Sequence, residues 1–313
     1  MTLLRDALTD RDIPTDRRLL APGTVGIISG PGGIGKSTLA QMIACAAAAG
    51  NPTGAGLAAI GLAAAPGSRP GLAGRPVSMW CLEDPAALAA RRTAATADWW
   101  ASTGGPHLDN YRSRIAIYGA EDTGPLWEAP DYRHRDKEHG PTNLMLTLAA
   151  DLLERRPILT IIDPALCALA APAADAHTVR SFIATLSRMT GEIDGAALIV
   201  AHSTKAARDG LSEAGAISGS AAWHDAARLV ITATPPPKPK GSTEQPEGVH
   251  LTVTKANLGK TGPLTNTTTN LPTPTTPLTL TITPHNGWPA ALTPTNTTTS
   301  NHPDPYAARL EDL

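Results

Sequence analysis

Gly30-Pro31-Gly32-Gly33-Ile34-Gly35-Lys36-Ser37-Thr38 follows the apolar run Thr24-Val25-Gly26-Ile27-Ile28-Ser29 and leads into Leu39-Ala40-Gln41-Met42-Ile43. The run before it has the apolar, β-branched character of a buried strand. Ser37 to Ala49 reads as a helix, stopped by Gly50-Asn51-Pro52. Between the two, the spacing G-x-x-x-x-G-K-S fits a phosphate-binding loop, and a strand before it with a helix after it is the context that confirms one. Its glycines let backbone N–H groups converge on phosphate oxygens at a helix N-terminus. In such a loop Lys36 reaches the β- and γ-phosphates and Ser37 ligates Mg²⁺, so ATP with Mg²⁺ is the expected ligand of residues 30–38.

Working outward, apolar strands alternate with helices. Val77–Leu82 is strand-like and precedes a helix over 85–100, and Arg114–Tyr118 is a further strand before a polar loop at 120–140. Asn143–Arg155 reads as an amphipathic helix feeding a strand at Ile158–Ile162, and a helix at Thr178–Met189 leads to a strand at Ala197–Ala201. This alternation predicts an α/β fold, a mostly parallel sheet flanked by helices. Beyond Ala222 the character turns β-rich, with runs at Leu229–Thr232, Val249–Thr254 and Leu278–Thr283 between Pro/Thr-rich turns. The expected organisation is a leader at 1–20, an ATPase domain at 21–292 and a flexible tail at 293–313. An Ala/Gly/Pro-rich insert at 51–75 is expected to be a surface excursion.

Two strand ends carry carboxylates that suit the loop. Asp163 closes the buried-strand pattern Ile158-Leu159-Thr160-Ile161-Ile162 and is the expected Mg²⁺-side acid beside Ser37. Pro164 follows it, where AAA+ and ABC ATPases usually place a glutamate, so the water-activating carboxylate must come from another strand. Glu83 supplies it at the end of Val77–Leu82, a RecA-like placement from which a carboxylate orients water for in-line attack. Asp84 reads as the cap of the next helix. His202, at the end of Leu198-Ile199-Val200-Ala201, is placed to sense the γ-phosphate from a neighbouring strand.

Composition narrows the partners. Among 313 residues, 26 basic against 28 acidic side chains leave a net charge of −2, so nucleic-acid contact requires a local patch or a ring lumen. Cys45, Cys81 and Cys167 lie far apart with no C-x-x-C spacing and read as buried apolar residues in a reducing compartment. The first twenty residues are too charged for a secretory signal, and the apolar runs are too short to span a bilayer. A cytoplasmic protein with no membrane partner is expected. Trp99 and Trp100 point about 100° apart on one helix, so at least one should be buried.

The core from about Gly23 to Leu292 resembles the RepA-type hexameric replicative helicases of plasmids, within the RecA/DnaB-like superfamily. The resemblance rests on Gly23-Thr24-Val25-Gly26, the loop at 30–38, Leu82-Glu83-Asp84-Pro85, the Asp163 strand and His202-Ser203-Thr204-Lys205. Ser218-Gly219-Ser220-Ala221, Asp225-Ala226-Ala227-Arg228, Thr254-Lys255-Ala256-Asn257-Leu258-Gly259 and Thr283-Pro284-His285-Asn286-Gly287-Trp288-Pro289 also fit. The family implies a Mg-ATPase assembled as a homo-oligomeric ring whose sites are completed by the neighbouring subunit. Arg228 and Lys255 match positions for such trans-acting cations. Single-stranded DNA is the implied ligand of the 203–222 loop, which carries Lys205 and Arg208. The chain departs from the family in having Ala201-His202 in place of a histidine pair, in its 51–75 insert and in its Thr/Pro-rich ending. The other class open at this level is an ATP-dependent regulatory or assembly switch without unwinding activity.

Overall fold

Six apolar runs lie side by side as parallel strands in a computed structural model, which describes residues 20–51, 54–57, 62, 74–122, 124–128, 140–170, 175–203, 217, 221–237, 247–257, 261–263 and 278–295. They are β1 (Val25–Gly30), β2 (Val77–Cys81), β3 (Ile115–Tyr118), β6 (Leu159–Asp163), β8 (Ala196–His202) and β9 (Leu229–Thr234). Three two-residue strands, β4 (Trp127–Glu128), β5 (Gly140–Pro141) and β7 (Leu169–Ala170), form a separate small sheet. The parallel order is β3-β2-β6-β8-β1-β9, and every residue of β1 is buried because helices or strands cover both faces.

The sheet continues past β9 in antiparallel fashion. β10 (Val249–Ala256) pairs with β9, β12 (Thr279–His285) with β10, and β13 (Trp288–Pro294) with β12, while β11 (Gly262–Pro263) pairs with β10 to one side. Every expected strand is observed to within a few residues; the two-residue β4, β5, β7 and β11 and the longer β13 were not expected. That strand runs through Thr293 and Pro294, two residues into the stretch expected to be tail.

Two apolar layers sandwich the parallel sheet. Alternate side chains of β1 divide between them: Ile28 faces one and Ile27 the other. The first layer holds α1 (Lys36–Ala49), α2 (Ala86–Ser102) and the inner face of β12–β13; the second holds α3 (Asn143–Arg155), α5 (Ala176–Gly191) and α6 (Ala222–Ala226). The one-turn helix α4 (Ala165–Ala168) follows β6. Because α1 lies under the sheet and against the hairpin, it is buried nearly all round. Its run of small residues reflects that crowding.

The insert departs from expectation where the structure describes it. Ala55, Leu57 and Leu62 are buried in the first layer instead of forming a surface excursion. The glycines flanking Ala55 lie against the α2 tryptophans: a Cβ on Gly54 would meet Trp100 at 2.2 Å, and one on Gly56 would meet Trp99 at 2.9 Å. Trp100 is buried and Trp99 half-buried, so both serve the core.

Helix α5 has a built cap. The Asp175 carboxylate accepts from the N–H of His177 at 3.1 Å and of Thr178 at 3.3 Å, as well as from the Thr178 hydroxyl. The Thr178 hydroxyl first, and then the two N–H groups, hold its pKa below the ordinary value. A depressed folded-state pKa stabilises above the unfolded value and is lost as pH falls through the folded one. Asp175→Ala should therefore cost about 1 kcal/mol at neutral pH, by loss of a helix cap. Chemical denaturation should show that cost shrinking below about pH 4.

Candidate functional site: the nucleotide pocket

Strand order brings the expected residues together. β8 lies between β1 and β6, with Gly30 opposite His202, and the Ser203 N–H donates to the Gly30 carbonyl at 3.0 Å. β2 lies beyond β6 with Cys81 opposite Asp163, and the Leu82 N–H donates to the Asp163 carbonyl at 2.7 Å. The phosphate loop, His202, Asp163 and Glu83 therefore stand in that order along the carboxyl edge of the parallel sheet, the edge where α/β sheets bind ligands.

A cavity of about 470 Å³ opens there. From the loop it is lined by Gly33, Gly35, Lys36, Ser37 and Thr38, and from the other strand ends by Glu83, Asp163 and His202. Gly30, Pro31, Gly32 and Ile34 complete the loop around it. Gly35 takes a left-handed φ of 96°, and no side chain caps α1, whose first turn carries no acid. Its leading N–H groups and positive dipole end thus point at the cavity, as an anion requires.

The charges are poised for a polyanion and a cation. Lys36 is only 5% exposed, and its Nζ donates to the Pro31 carbonyl at 2.6 Å. Burial lowers its pKa, opposed by the negative charges of Asp163 and Glu83. Burial likewise raises the pKa of Asp163; a hydrogen bond from Ser37 and the charge of Lys36 pull it down, while Asp84 and Glu83 push it up. Three carboxylates thus face two cations, Lys36 and Arg92, at one end of the cavity. The Ser37 hydroxyl and the Asp163 carboxylate are hard oxygen donors in contact, a set that fits Mg²⁺ retaining waters and phosphate oxygens. When bound, that ion supplies charge neutralisation for the phosphates. Among the described residues no cluster of three His, Cys, Asp or Glu could hold a metal by itself.

Asp84 does not cap α2. The Ala86 N–H is taken instead by the Glu121 carboxylate, at 2.9 and 3.1 Å, and Asp84 forms an ion pair with Arg92. That pair leaves Glu83, which is exposed at the cavity, as the carboxylate not committed to Arg92. Arg92 itself was not foreseen; the signal was Arg91-Arg92, two turns into the helix that follows Glu83-Asp84. Gln41 was also missed. It lies a turn beyond Ser37, 4% exposed, and its Oε1 has no hydrogen-bond partner.

Arg228 and Lys255 are not brought to this cavity. The Arg228 N–H donates to the carbonyl of Val25 at 2.8 Å, at the start of β1, whereas the phosphate loop is at its end. The length of β1, roughly 17 Å, separates the two. Lys255, opposite Val230, donates from Nζ to the carbonyls of His224 at 2.9 Å and Asp225 at 2.6 Å. Lys205 and Arg208 lie outside the described residues, with most of the 203–222 loop.

A glycine loop between strand and helix, with carboxylates on two neighbouring strands and a histidine strand between loop and acid, defines a P-loop ATPase with a RecA-like core. Residues 13–208 match the model of the AAA domain family, and the chain belongs to that family. The match ends before β9, so β9–β13 lie beyond it. No curated protein matches the sequence. No described helix is long and apolar enough to cross a membrane.

Proposed function

We propose that the chain is a Mg²⁺-dependent ATPase that assembles head-to-tail into a ring, a hexamer by its RepA-type resemblance. It works in the cytoplasm as a helicase-like DNA motor or replication factor. The observation carrying this reading is the edge order loop–His202–Asp163–Glu83. It sets His202 between the glycine loop and Asp163, with Glu83 on the far side, which supports reading His202 as a sensor and Glu83 as the water-activating carboxylate. Glu83 orients the attacking water and accepts its proton, Lys36 binds the phosphates, Ser37 and Asp163 hold Mg²⁺, and His202 reports loss of the γ-phosphate. The position of Arg228 and Lys255 at the opposite edge keeps them from their own site, and a ring presents that kind of surface to a neighbour.

Two measurements test this. Steady-state hydrolysis should rise several-fold on addition of single-stranded DNA; a flat response would favour the regulatory or assembly switch. Lys36→Ala and Arg228→Ala proteins should each be nearly inactive and regain part of the activity when mixed. In randomly mixed rings about a quarter of the interfaces join an intact loop to an intact arginine. No recovery despite demonstrated subunit exchange removes the trans role of Arg228, and the same cross tests Lys255→Ala.

A further inference from the structure

The cavity has two chemically different halves. One is the loop and the charged strand ends. The other is the β12–β13 hairpin, which brings Ile282, Gly287, Trp288 and Pro289 to the cavity, beside the apolar Cys81 and Val200 of the parallel strands. Ile282 is 38% exposed and, among the described residues, is the one member of the exposed large apolar set (Leu146, Leu153, Leu166, Ile282) that lines this cavity. Trp288 is half-buried and Pro289 exposed beside it. An indole, a proline ring and an isoleucine facing a cavity make a surface that a flat apolar group would cover.

The hairpin is held in that place by its own sequence. Asn286 and Gly287, at φ 51° and 79°, form the two-residue turn that pairs His285 with Trp288. A register shift after Thr283 leaves Ala290 as an extra residue, so Ala290, Ala291 and Leu292 are buried in succession. The Leu292 N–H points at Met42 Sδ, 3.2 Å away on α1. A Cβ on Gly35 would meet Leu292 Cδ2 at 2.9 Å and Ile282 Cγ1 at 3.3 Å. The apolar wall therefore begins in contact with the phosphate loop itself.

A ligand filling both halves must carry a polyanion at one end and a flat ring at the other. We propose that the β12–β13 hairpin is the base-side wall of the nucleotide site, with the Trp288 indole stacking on the base. This rests on reading residues 30–38 as the phosphate cradle. Base stacking on an aromatic side chain is worth enough to change affinity about fivefold to a hundredfold.

Calorimetric titration of the full chain with a non-hydrolysable ATP analogue and with inorganic tripolyphosphate, both with Mg²⁺, tests it. Trp288→Ala should weaken the analogue by about tenfold or more and leave tripolyphosphate binding within about twofold of wild type. Trp288→Phe should keep most of the affinity. Trp288→Leu retains apolar bulk without a π face and should behave like Trp288→Ala, which covers the case in which alanine unsettles the hairpin. Equal losses for both ligands, or no loss for the analogue, overturn the stacking role. A wild-type chain that binds neither ligand overturns the phosphate-loop reading, and the proposal with it.

Discussion

Lys36→Ala protein should hydrolyse ATP no faster than the solvent background and bind it roughly tenfold to a hundredfold more weakly, the scale of a lost charge-assisted hydrogen bond. The side chain is buried at the cavity wall, and its ammonium is held by the Pro31 carbonyl with the charges of Asp163 and Glu83 nearby. Burial depresses its pKa, which means that the ammonium is under-solvated and gains more from an arriving phosphate than a hydrated lysine would. Asp163→Asn should leave nucleotide contact with the loop intact but shift the Mg²⁺ concentration needed for half-maximal turnover upward. A nucleotide-binding titration with and without Mg²⁺ separates the two variants: the first should lose affinity in both, the second chiefly in the presence of the ion. Unchanged turnover in Lys36→Ala protein would remove the P-loop chemistry altogether.

The parallel core and the loop could be read in the sequence because both are encoded locally. A buried parallel strand is a short apolar run, and G-x-x-x-x-G-K-S fixes a backbone shape by its own glycines. The amphipathic pattern gives the helix Asn143–Arg155 its observed bounds, and Thr142 caps it there, accepting from the Met145 N–H at 3.3 Å. What could not be read was decided by distant partners. The Asp84 cap lost to Glu121, which the chain brings back 35 positions after Ala86, and freed Asp84 for Arg92. Gly54 to Gly56 look like low-information loop until Trp99 and Trp100 are laid beside them. β13 was hidden because a bulge breaks its alternation, leaving Ala290-Ala291-Leu292 consecutive. The Asn286-Gly287 pair, a strong two-residue hairpin signal, was nonetheless in plain view. The cavity's apolar half went unseen with it, since its residues come from the far end of the chain.

Glu83→Gln protein should bind ATP as tightly as wild type and turn it over about 10²–10⁴-fold more slowly, the loss expected when a general base is removed. Glutamine keeps the shape and the water contact but cannot accept the proton. The neighbouring carboxylate is the natural rival, being one residue away and lining the same cavity. Its ion pair with Arg92 decides between them, since the Asp84 carboxylate is engaged by the guanidinium while Glu83 is exposed at the cavity. Asp84→Asn should accordingly keep hydrolysis within about tenfold of wild type, an effect through the placement of Arg92 and not through proton transfer. The two variants also differ in how they trap nucleotide. In a single-turnover experiment Glu83→Gln protein should hold unhydrolysed ATP, whereas Asp84→Asn protein should release ADP on the wild-type schedule or slightly behind it. A dead Asp84→Asn enzyme beside an active Glu83→Gln enzyme would move the base by one residue, and Arg92 would then be pairing with the catalytic group itself.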